Sequence, residues 1–480
     1  MFPFKKFKKI VFLSVLFLIL VGSVVFLLFS LSIVQTEFAQ RITKNLNKIY
    51  DTNISIEKAF IQLNGDVFVK NILIRDHHQD SLLFVKELKT SINGLNRFLE
   101  KDYNFYYIGL IGAELSVIQY SGESESSLQY FINKLKDTTG VIKAPFIFRS
   151  DVLEINSSDL VIQDLNILNS KKSFSDIDLG LNDFDFKNDK LSLAVNSLKA
   201  SSDQYGKINS FKATISYNKD SLITKDFELK LNKNNLKGES SISFLGGNLA
   251  NLTPSFFEIH LDDSTINLSD LTILESSVKK SSFVKASFFI TGKLNEFDFK
   301  LKVKDLYQSS FLGNIHVLNL LDKENFKVSS SDFKISTSDK ALRNIFNNDI
   351  YNQFRIYSSK ADILNIDSKF FGDKNNLKIQ LNTNSKLGIF NPVIKLKRNS
   401  KNQNWNYNFN LEANNFDIGE ILDINTLLKV SALVSIDGYL KDSFNFISSS
   451  RGLFRTIQIG SRNLDNIKFN SSTDINLTSG

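Results

Sequence analysis

The strongest candidate for chemistry in this sequence is a run of six polar residues, Arg-Asp-His-His-Gln-Asp, at positions 75–80. Its imidazoles and carboxylates are side chains that bind divalent transition metals. In an extended strand, however, the adjacent His77 and His78 point to opposite sides. The other two histidines, His260 and His316, are distant in sequence and each stands alone in a strand-like run. We therefore expect them to be structural, and we expect no metal at the run.

A hairpin turn explains the same six residues. Apolar segments at 67–74 and 82–85 flank them, as two strands flank the turn that joins them. Asp76 and Asp80 would then accept hydrogen bonds from backbone N–H groups of the turn. No Ser-His-Asp arrangement, phosphate-binding loop or dinucleotide fingerprint occurs in the chain. We expect no enzyme, no catalytic residue and no cofactor.

The elements around this run are predicted to be strands. From Asn53 onward apolar residues alternate with polar ones, which is typical of strands with one apolar and one solvated face. The clearest alternating groups are Phe227, Leu229 and Leu231; Phe297, Phe299, Leu301 and Val303; and Trp405, Tyr407, Phe409 and Leu411. Helices are expected only at 128–135, 341–347 and 418–428, the last with Asp417 as N-cap. The fold class is therefore mainly β, with roughly 25–30 short antiparallel strands and a few short helices.

So few helices leave little to cover the apolar face of such a sheet. The sequence has 43 phenylalanines, and the sheet could hide them by packing on a second sheet, by closing into a barrel, or by curling into a groove that holds an apolar ligand. Periodicity alone leaves all three open. In the third case the eleven alternating residues named above would line the groove.

A membrane anchor is predicted at residues 10–34, an apolar segment that directly follows Lys6, Lys8 and Lys9. As a helix it would be roughly 37 Å long at ~1.5 Å per residue, enough to cross a hydrocarbon core of ~30 Å. The segment is longer than the apolar part of a cleaved signal peptide and has no small-residue cleavage site. The lysines place the N-terminus in the cytoplasm and the remaining chain outside it.

An amphipathic helix is predicted at residues 35–50, just beyond the anchor. Its apolar residues recur every three to four positions, namely Phe38, Ile42, Leu46 and Ile49. The chain carries 58 basic and 51 acidic residues and no cysteine. Four lysines of the N-terminal tail account for four of its seven net positive charges, so the exported part is nearly neutral and a nucleic-acid partner is not expected.

Several stretches resemble TamB proteins of the Bacteroidetes type, which contain AsmA-like modules. The stretches are Gln-Thr-Glu-Phe-Ala-Gln at 35–40, Ile-Ser-Ile-Glu at 54–57, the run from Gly65 to Leu83, residues 107–131, and Phe-Asp-Ile-Gly-Glu-Ile-Leu at 416–422 with the strand at 432–440. One departure is Gln79-Asp80-Ser81, where the family usually has Gly-Asp-Thr. None of these positions is catalytic in the family.

The resemblance implies a single-pass inner-membrane protein whose periplasmic part is a long curled β-sheet, a β-taco-like hydrophobic groove. Such a groove is thought to carry phospholipid toward the outer membrane, beside an outer-membrane barrel partner of the TamA or assembly-machine type. One alternative is a scaffold that assembles outer-membrane proteins by offering a strand edge. Another is a structural protein of closed sandwiches.

The resemblance also suggests a division of the chain. We expect a cytoplasmic tail (1–9), the anchor (10–34), the amphipathic helix (35–50), an N-terminal TamB/AsmA-like β region (51–140), an extended groove region (141–415) and an AsmA-like module (416–480). Family members are usually much longer, so we expect a fragment or a short relative.

Overall fold

The computed structural model describes most of the chain beyond the predicted anchor. The described residues are 32–62, 66–92, 102–135, 147–187, 190–246, 252–270, 277–279, 282–305, 307, 309–399, 404–424, 428–440 and 445–476. The predicted tail (1–9) and span (10–34) lie outside them, except that residues 32–34 begin helix α1. In the described part, no helix combines the length and the apolar character required to cross a membrane.

Strands make up 69% of the described residues, which confirms the mainly-β class. The first nine are β1 (Asn53–Ile61), β2 (Asp66–Arg75), β3 (Ser81–Ile92), β4 (Asp102–Gln119), β5 (Ile147–Asp164), β6 (Lys172–Lys187), β7 (Lys190–Ser202), β8 (Gly206–Tyr217) and β9 (Ser221–Leu231). The others are β10 (Asn234–Ser243), β11 (Phe256–Asn267), β12 (Phe283–Lys293), β13 (Glu296–Asp305), β14 (Ser310–Leu318), β15 (Lys327–Ser338), β16 (Ile363–Asp373), β17 (Asn376–Ser385), β18 (Gly388–Arg398), β19 (Trp405–Asp417), β20 (Leu428–Leu440), β21 (Asn445–Ile459) and β22 (Arg462–Asn476). The described strands are fewer and longer than expected.

Two compact units divide these strands. One comprises Met1–Lys219 with Thr224–Asn232, and the other comprises Asp220–Ile223 with Lys233–Gly480. Strands β1 to β8 pair in sequence order within the first unit. Strands β10 to β22 do the same within the second.

One strand pair corrects the expectation of an all-antiparallel sheet. Strands β4 and β5 run parallel, with Tyr107 opposite Val152. Parallel neighbours need a crossover of a dozen or more residues. Here the connection contains helix α2 (Ser127–Leu135), the helix that the sequence predicted at 128–135. The alternation of side chains is the same in both pairing modes, so periodicity could not reveal the strand direction.

The remaining helices agree with prediction in part. Helix α1 (Ser32–Tyr50) includes the helix predicted at 35–50, although its apolar residues Phe38, Ile42, Leu46 and Ile49 are exposed, and α3 (Asp339–Ile345) overlaps the one predicted at 341–347. Helix α4 (Asn348–Ala361) was not predicted. Helix α5 (Ile418–Ile421) begins at the predicted cap, where the Asp417 carboxylate accepts a hydrogen bond from the Glu420 N–H, but it is a single turn. A 3₁₀ turn covers Leu268–Asp270.

Polar side chains of α1 bond the free edge of β1. Asn47 donates to the Ile54 carbonyl at 2.7 Å and accepts from the Ile54 N–H at 2.9 Å. Thr36 does the same at Ala59, at 2.9 and 3.1 Å. The helix therefore satisfies backbone groups that an edge strand would otherwise leave open to another chain.

β-Bulges interrupt the ladders of the second unit. At Asp263 and Asn415 the backbone takes φ values of 41° and 50°, a region that short polar side chains tolerate. Their N–H groups donate to Ser287 Oγ and Ser431 Oγ on the next strand, at 3.1 and 2.9 Å. Because a bulge bends its strand and increases local twist, these positions curve the sheet without leaving the bulged N–H groups unpaired.

Candidate functional site

The predicted groups on β13 and β19 lie on one face of the second unit. On β13, Phe297, Phe299, Leu301 and Val303 are partly buried, whereas the residues between them are exposed. On β19, Trp405, Tyr407, Phe409 and Leu411 are also partly buried. Cross-strand pairing connects the two groups through rows of residues that lie opposite one another on successive strands. We call their common side the apolar face.

The first row of this face crosses eleven strands, β10 to β20, and its one polar side-chain group is the hydroxyl of Tyr407. Its successive cross-strand partners are Ile242, Phe257, Gly292, Phe297, Val317, Val328, Gly372, Leu377, Leu396, Tyr407 and Gly438. At ~4.8 Å per strand, the row is roughly 48 Å long if measured along the sheet. Two predicted residues from different strands, Phe297 and Tyr407, thus belong to one continuous apolar line.

A second row runs beside the first, two residues along each strand. Its members are Ile259, Ile290, Phe299 and Ile315 on β11 to β14, then Ser330, Phe370, Ile379, Ile394, Phe409 and Ile436 on β15 to β20. A bulge in β15 separates the two halves. Ser330 is the one polar member, and it is buried.

The other side of the same strands is polar. On β13 it carries Lys300, Lys302 and Lys304, and on β19 it carries Asn406 and Asn408. The predicted structural histidines also lie here. His260 and His316 pair with Asp262 and Asp298 at 3.2 and 2.9 Å. Charged and amide side chains thus lie on this side, although it also carries apolar residues such as Phe289, which pairs with His260 and Lys300.

Aromatic rings of the apolar face lie over glycines of neighbouring strands. A side chain at Gly438 would meet the ring of Tyr407, and one at Gly313 would meet the ring of Phe333. Tyr407 also donates to the Ile447 carbonyl at 3.3 Å. These rings thus lie against the backbone of the neighbouring strand. They add to the apolar surface of the sheet and project little from it.

Among the described residues, helices cover one end of the apolar face. There Leu387, Ala413 and Phe416 form a core with Ala361 of α4, flanked by Tyr357 of α4 and by Ile418 and Ile421 of α5. Leu387 and Ala361 are each 1% exposed. No residue of the first or second row belongs to this core.

The third predicted group lies in the first unit. On β9, Phe227, Leu229 and Leu231 alternate with Glu228 and Lys230 and are partly buried. The first unit has its own continuous apolar row across seven strands. It consists of Ala59, Val69, Leu88, Leu110, Ile155, Leu179 and Leu198.

A cavity of the second unit opens on the polar side. It measures about 800 Å³, and its lining includes Arg451 and Lys468 together with Leu433 and Leu453. Among the predicted residues, only Leu411 borders it. The apolar face is thus an extended surface and not a closed pocket.

Periodicity missed several residues of the face. Phe288 and Ile290 on β12 lie within a run of three consecutive apolar residues, so no alternation is visible there. On β18, Ile394 and Leu396 share the face but were not selected, although they alternate with Lys395 and Lys397. The first pair required strand pairing to be found, whereas the second was visible in the sequence.

The predicted turn at 75–80 is confirmed. The Asp76 carboxylate accepts hydrogen bonds from the N–H groups of His78 and Asp80, at 2.9 and 3.0 Å. The carboxylate of Asp80 instead accepts from the Tyr120 hydroxyl at 2.9 Å, which also donates to Asp76 at 2.7 Å. Burial and these two carboxylates raise the pKa of Tyr120, so its hydroxyl stays protonated.

Comparison of the chain with models of protein families, with curated proteins and with solved structures finds no match. The function must therefore be argued from the faces, edges and side-chain clusters of the sheet.

Proposed function

We propose that this chain is a TamB/AsmA-like, membrane-anchored envelope protein whose apolar face binds phospholipid acyl chains and conducts them between the inner and outer membranes. No catalytic residue takes part. The observation that carries the proposal is the first row, which stays apolar across eleven strands and has no helix of the core over it.

The dimensions of the face suit acyl chains. Its two rows form a strip roughly 48 Å long at ~4.8 Å per strand, longer than one extended acyl chain. Burial of a methylene group contributes ~0.8 kcal/mol, so a chain of about sixteen carbons would gain on the order of 10 kcal/mol. The polar groups of the lipid would stay in water at the rim.

Helix α1 supports attachment to a membrane. Its polar side chains bond β1, whereas Ile33, Phe38 and Ile49 on its other sides are 75%, 63% and 61% exposed. The helix continues the predicted span at 10–34. Exposed apolar residues at such a place are suited to the interface of a bilayer. The lysines before that span would place the N-terminus in the cytoplasm, and the resemblance to TamB proteins implies the inner membrane.

Native mass spectrometry of the exported full chain, followed by lipid extraction, tests the proposal. We expect phospholipid to copurify with the wild type and to be lost from the Phe299→Asp/Phe409→Asp variant. A matched variant, Lys300→Asp/Asn406→Asp, places aspartates on the polar side of the same strands and should keep its lipid. Equal lipid content in both folded variants would contradict binding at the apolar face.

A second candidate is a scaffold for outer-membrane proteins, which needs a free strand edge. Helix α1 occupies the edge of β1, but among the described residues no strand pairs with the outer edge of β22. Proline substitutions in β22 would then impair barrel assembly and leave the lipid content unchanged. A barrel of the TamA or assembly-machine type is the partner that both candidates share.

A further inference from the structure

The two adjacent histidines of the turn converge on one carboxylate. His77 Nε2 lies 2.9 Å from Glu123 Oε2, and His78 Nε2 lies 2.8 Å from Glu123 Oε1. The expectation that neighbouring histidines diverge assumed an extended backbone. Here both occupy a turn between β2 and β3, and the Asp76 carboxylate fixes that turn through two backbone N–H groups.

Aromatic neighbours hold the imidazole rings in place. The His77 ring stacks on Tyr130 of α2, with centroids 4.1 Å apart and planes inclined by 22°. The His78 ring lies 3.9 Å from the ring of Tyr120. Because Tyr120 also bonds both carboxylates of the turn, the two imidazoles are positioned by groups other than Glu123.

We propose that His77, His78 and Glu123 form a binding site for one divalent transition-metal ion, and that Zn²⁺ is the ion they fit best. The three possible ligand atoms all lie within 4.8 Å of one another. Zinc binds imidazole nitrogen and carboxylate oxygen at about 2.0–2.2 Å, which places tetrahedral ligand atoms roughly 3.3 Å apart. The two histidine–carboxylate distances need to widen only slightly.

The charge of the site also suits a cation. Glu123 presents one carboxylate oxygen to each imidazole nitrogen and is the one anionic group of the cluster. Two imidazoles and one carboxylate leave a fourth position for water, as in open zinc sites. Solvent can reach it because the His78 side chain is 44% exposed and His77 borders a cavity of about 410 Å³.

A bound ion would connect two parts of the first unit that the chain separates. The histidines belong to the β2–β3 turn, and Glu123 belongs to the segment between β4 and α2, which begins the crossover to β5. The ion would thus stabilise the start of the parallel connection. This inference is independent of lipid binding at the apolar face.

Calorimetric titration of the purified full chain with ZnCl₂ tests the site. We expect one ion per chain in the wild type, and an affinity at least tenfold weaker in each of the variants His77→Gln, His78→Gln and Glu123→Gln. His316→Gln is the matched control. That histidine pairs with Asp298 on β13, so its substitution should leave the zinc titration unchanged. The chain has no cysteine and only four histidines, so few other strong ligands compete.

X-ray absorption at the zinc edge of the loaded wild type gives a readout that does not depend on how the variants fold. We expect two imidazole nitrogens and light oxygen ligands. Absence of zinc binding by the wild type, a spectrum without imidazole scattering, or equal affinity in His316→Gln and the three site variants would each overturn the assignment.

Discussion

Two regions of the same apolar face differ in how far other parts of the chain cover them. At the covered end, Phe416 lies under helix α4 and is 6% exposed, with its ring 6.1 Å from Tyr357 and 5.2 Å from Phe390. In the open region, the ring of Phe299 lies 5.5 Å from that of its neighbour Phe288 and stays partly exposed. The residue types are alike, so composition does not distinguish them.

The difference teaches how to separate a structural apolar surface from a binding surface. Where the chain supplies helices, the face becomes a core with small residues such as Ala361 and Ala413 at the contacts. Where no described helix lies over the face, large side chains and glycines form an open surface, and this is the region to which the proposed function assigns lipid.

The largest difference should come from matched phenylalanine truncations. Phe416→Ala should lower the free energy of unfolding by about 3–5 kcal/mol, because it leaves a cavity in the covered core. Phe299→Ala should lower it by only about 1–2 kcal/mol, because part of that ring is already in contact with solvent. Urea denaturation measures both, and equal losses would erase the contrast between the two regions.

The packing of α3 on α4 should depend on one carboxylate. Asp339 accepts hydrogen bonds from the Tyr351 hydroxyl and Ser358 Oγ, each at 2.8 Å, and both donors are buried. Asp339→Ala should cost about 2–3 kcal/mol because it removes the acceptor of the buried Tyr351 hydroxyl and leaves Ser358 Oγ only the longer bond to the Arg355 carbonyl, at 3.4 Å. Asp349, which is exposed on the same helix pair, is the control. In urea denaturation, Asp349→Ala should lower the free energy of unfolding by less than about 1 kcal/mol.

A side chain at Gly438 should disturb the open surface. Gly438→Val would press against the Tyr407 ring and the Ile447 carbonyl, at a cost of about 1–3 kcal/mol. Tyr407→Ala removes the ring but not the Ile447 carbonyl, so the double variant should lose less stability than the sum of the two single variants. If thermal denaturation shows that the two losses simply add, the ring does not lie over the glycine.

The smallest effect concerns the cap of α5. Asp417→Ala removes the carboxylate that accepts from the Glu420 N–H at 2.9 Å, and should cost about 1 kcal/mol or less. Hydrogen exchange of the Glu420 amide should become faster, while the exchange rates of the β13 amides should stay unchanged. A change at β13 would mean that the covered end and the open region are coupled.

Much of this architecture was visible in the sequence. Alternation identified the strands, and the charged residues between Phe297 and Val303 correctly indicated which side of β13 is polar. Asp417 marked the start of α5. These features are local, so a window of a few residues contains the information.

What the sequence did not reveal depends on pairing between distant residues. The parallel direction of β4 and β5, the alignment of Phe297 with Tyr407 and the meeting of His77 with Glu123 all join separate segments. Helix α4 was different, because its start signal was present. Asn347 caps it by accepting from the Ile350 N–H at 2.9 Å, but its polar composition gave no clear apolar stripe.

The central claim is that lipid contacts the apolar face and not the polar one. The two faces of the same strands can be compared in living cells with a photoreactive phenylalanine analogue. It is placed in the full chain at position 299 or 409 on the apolar face, and at the adjacent position 300 or 408 on the polar face. We predict phospholipid adducts by mass spectrometry at 299 and 409, with only background at 300 and 408. Adducts of equal yield on both faces, or none at 299 and 409, would contradict the account.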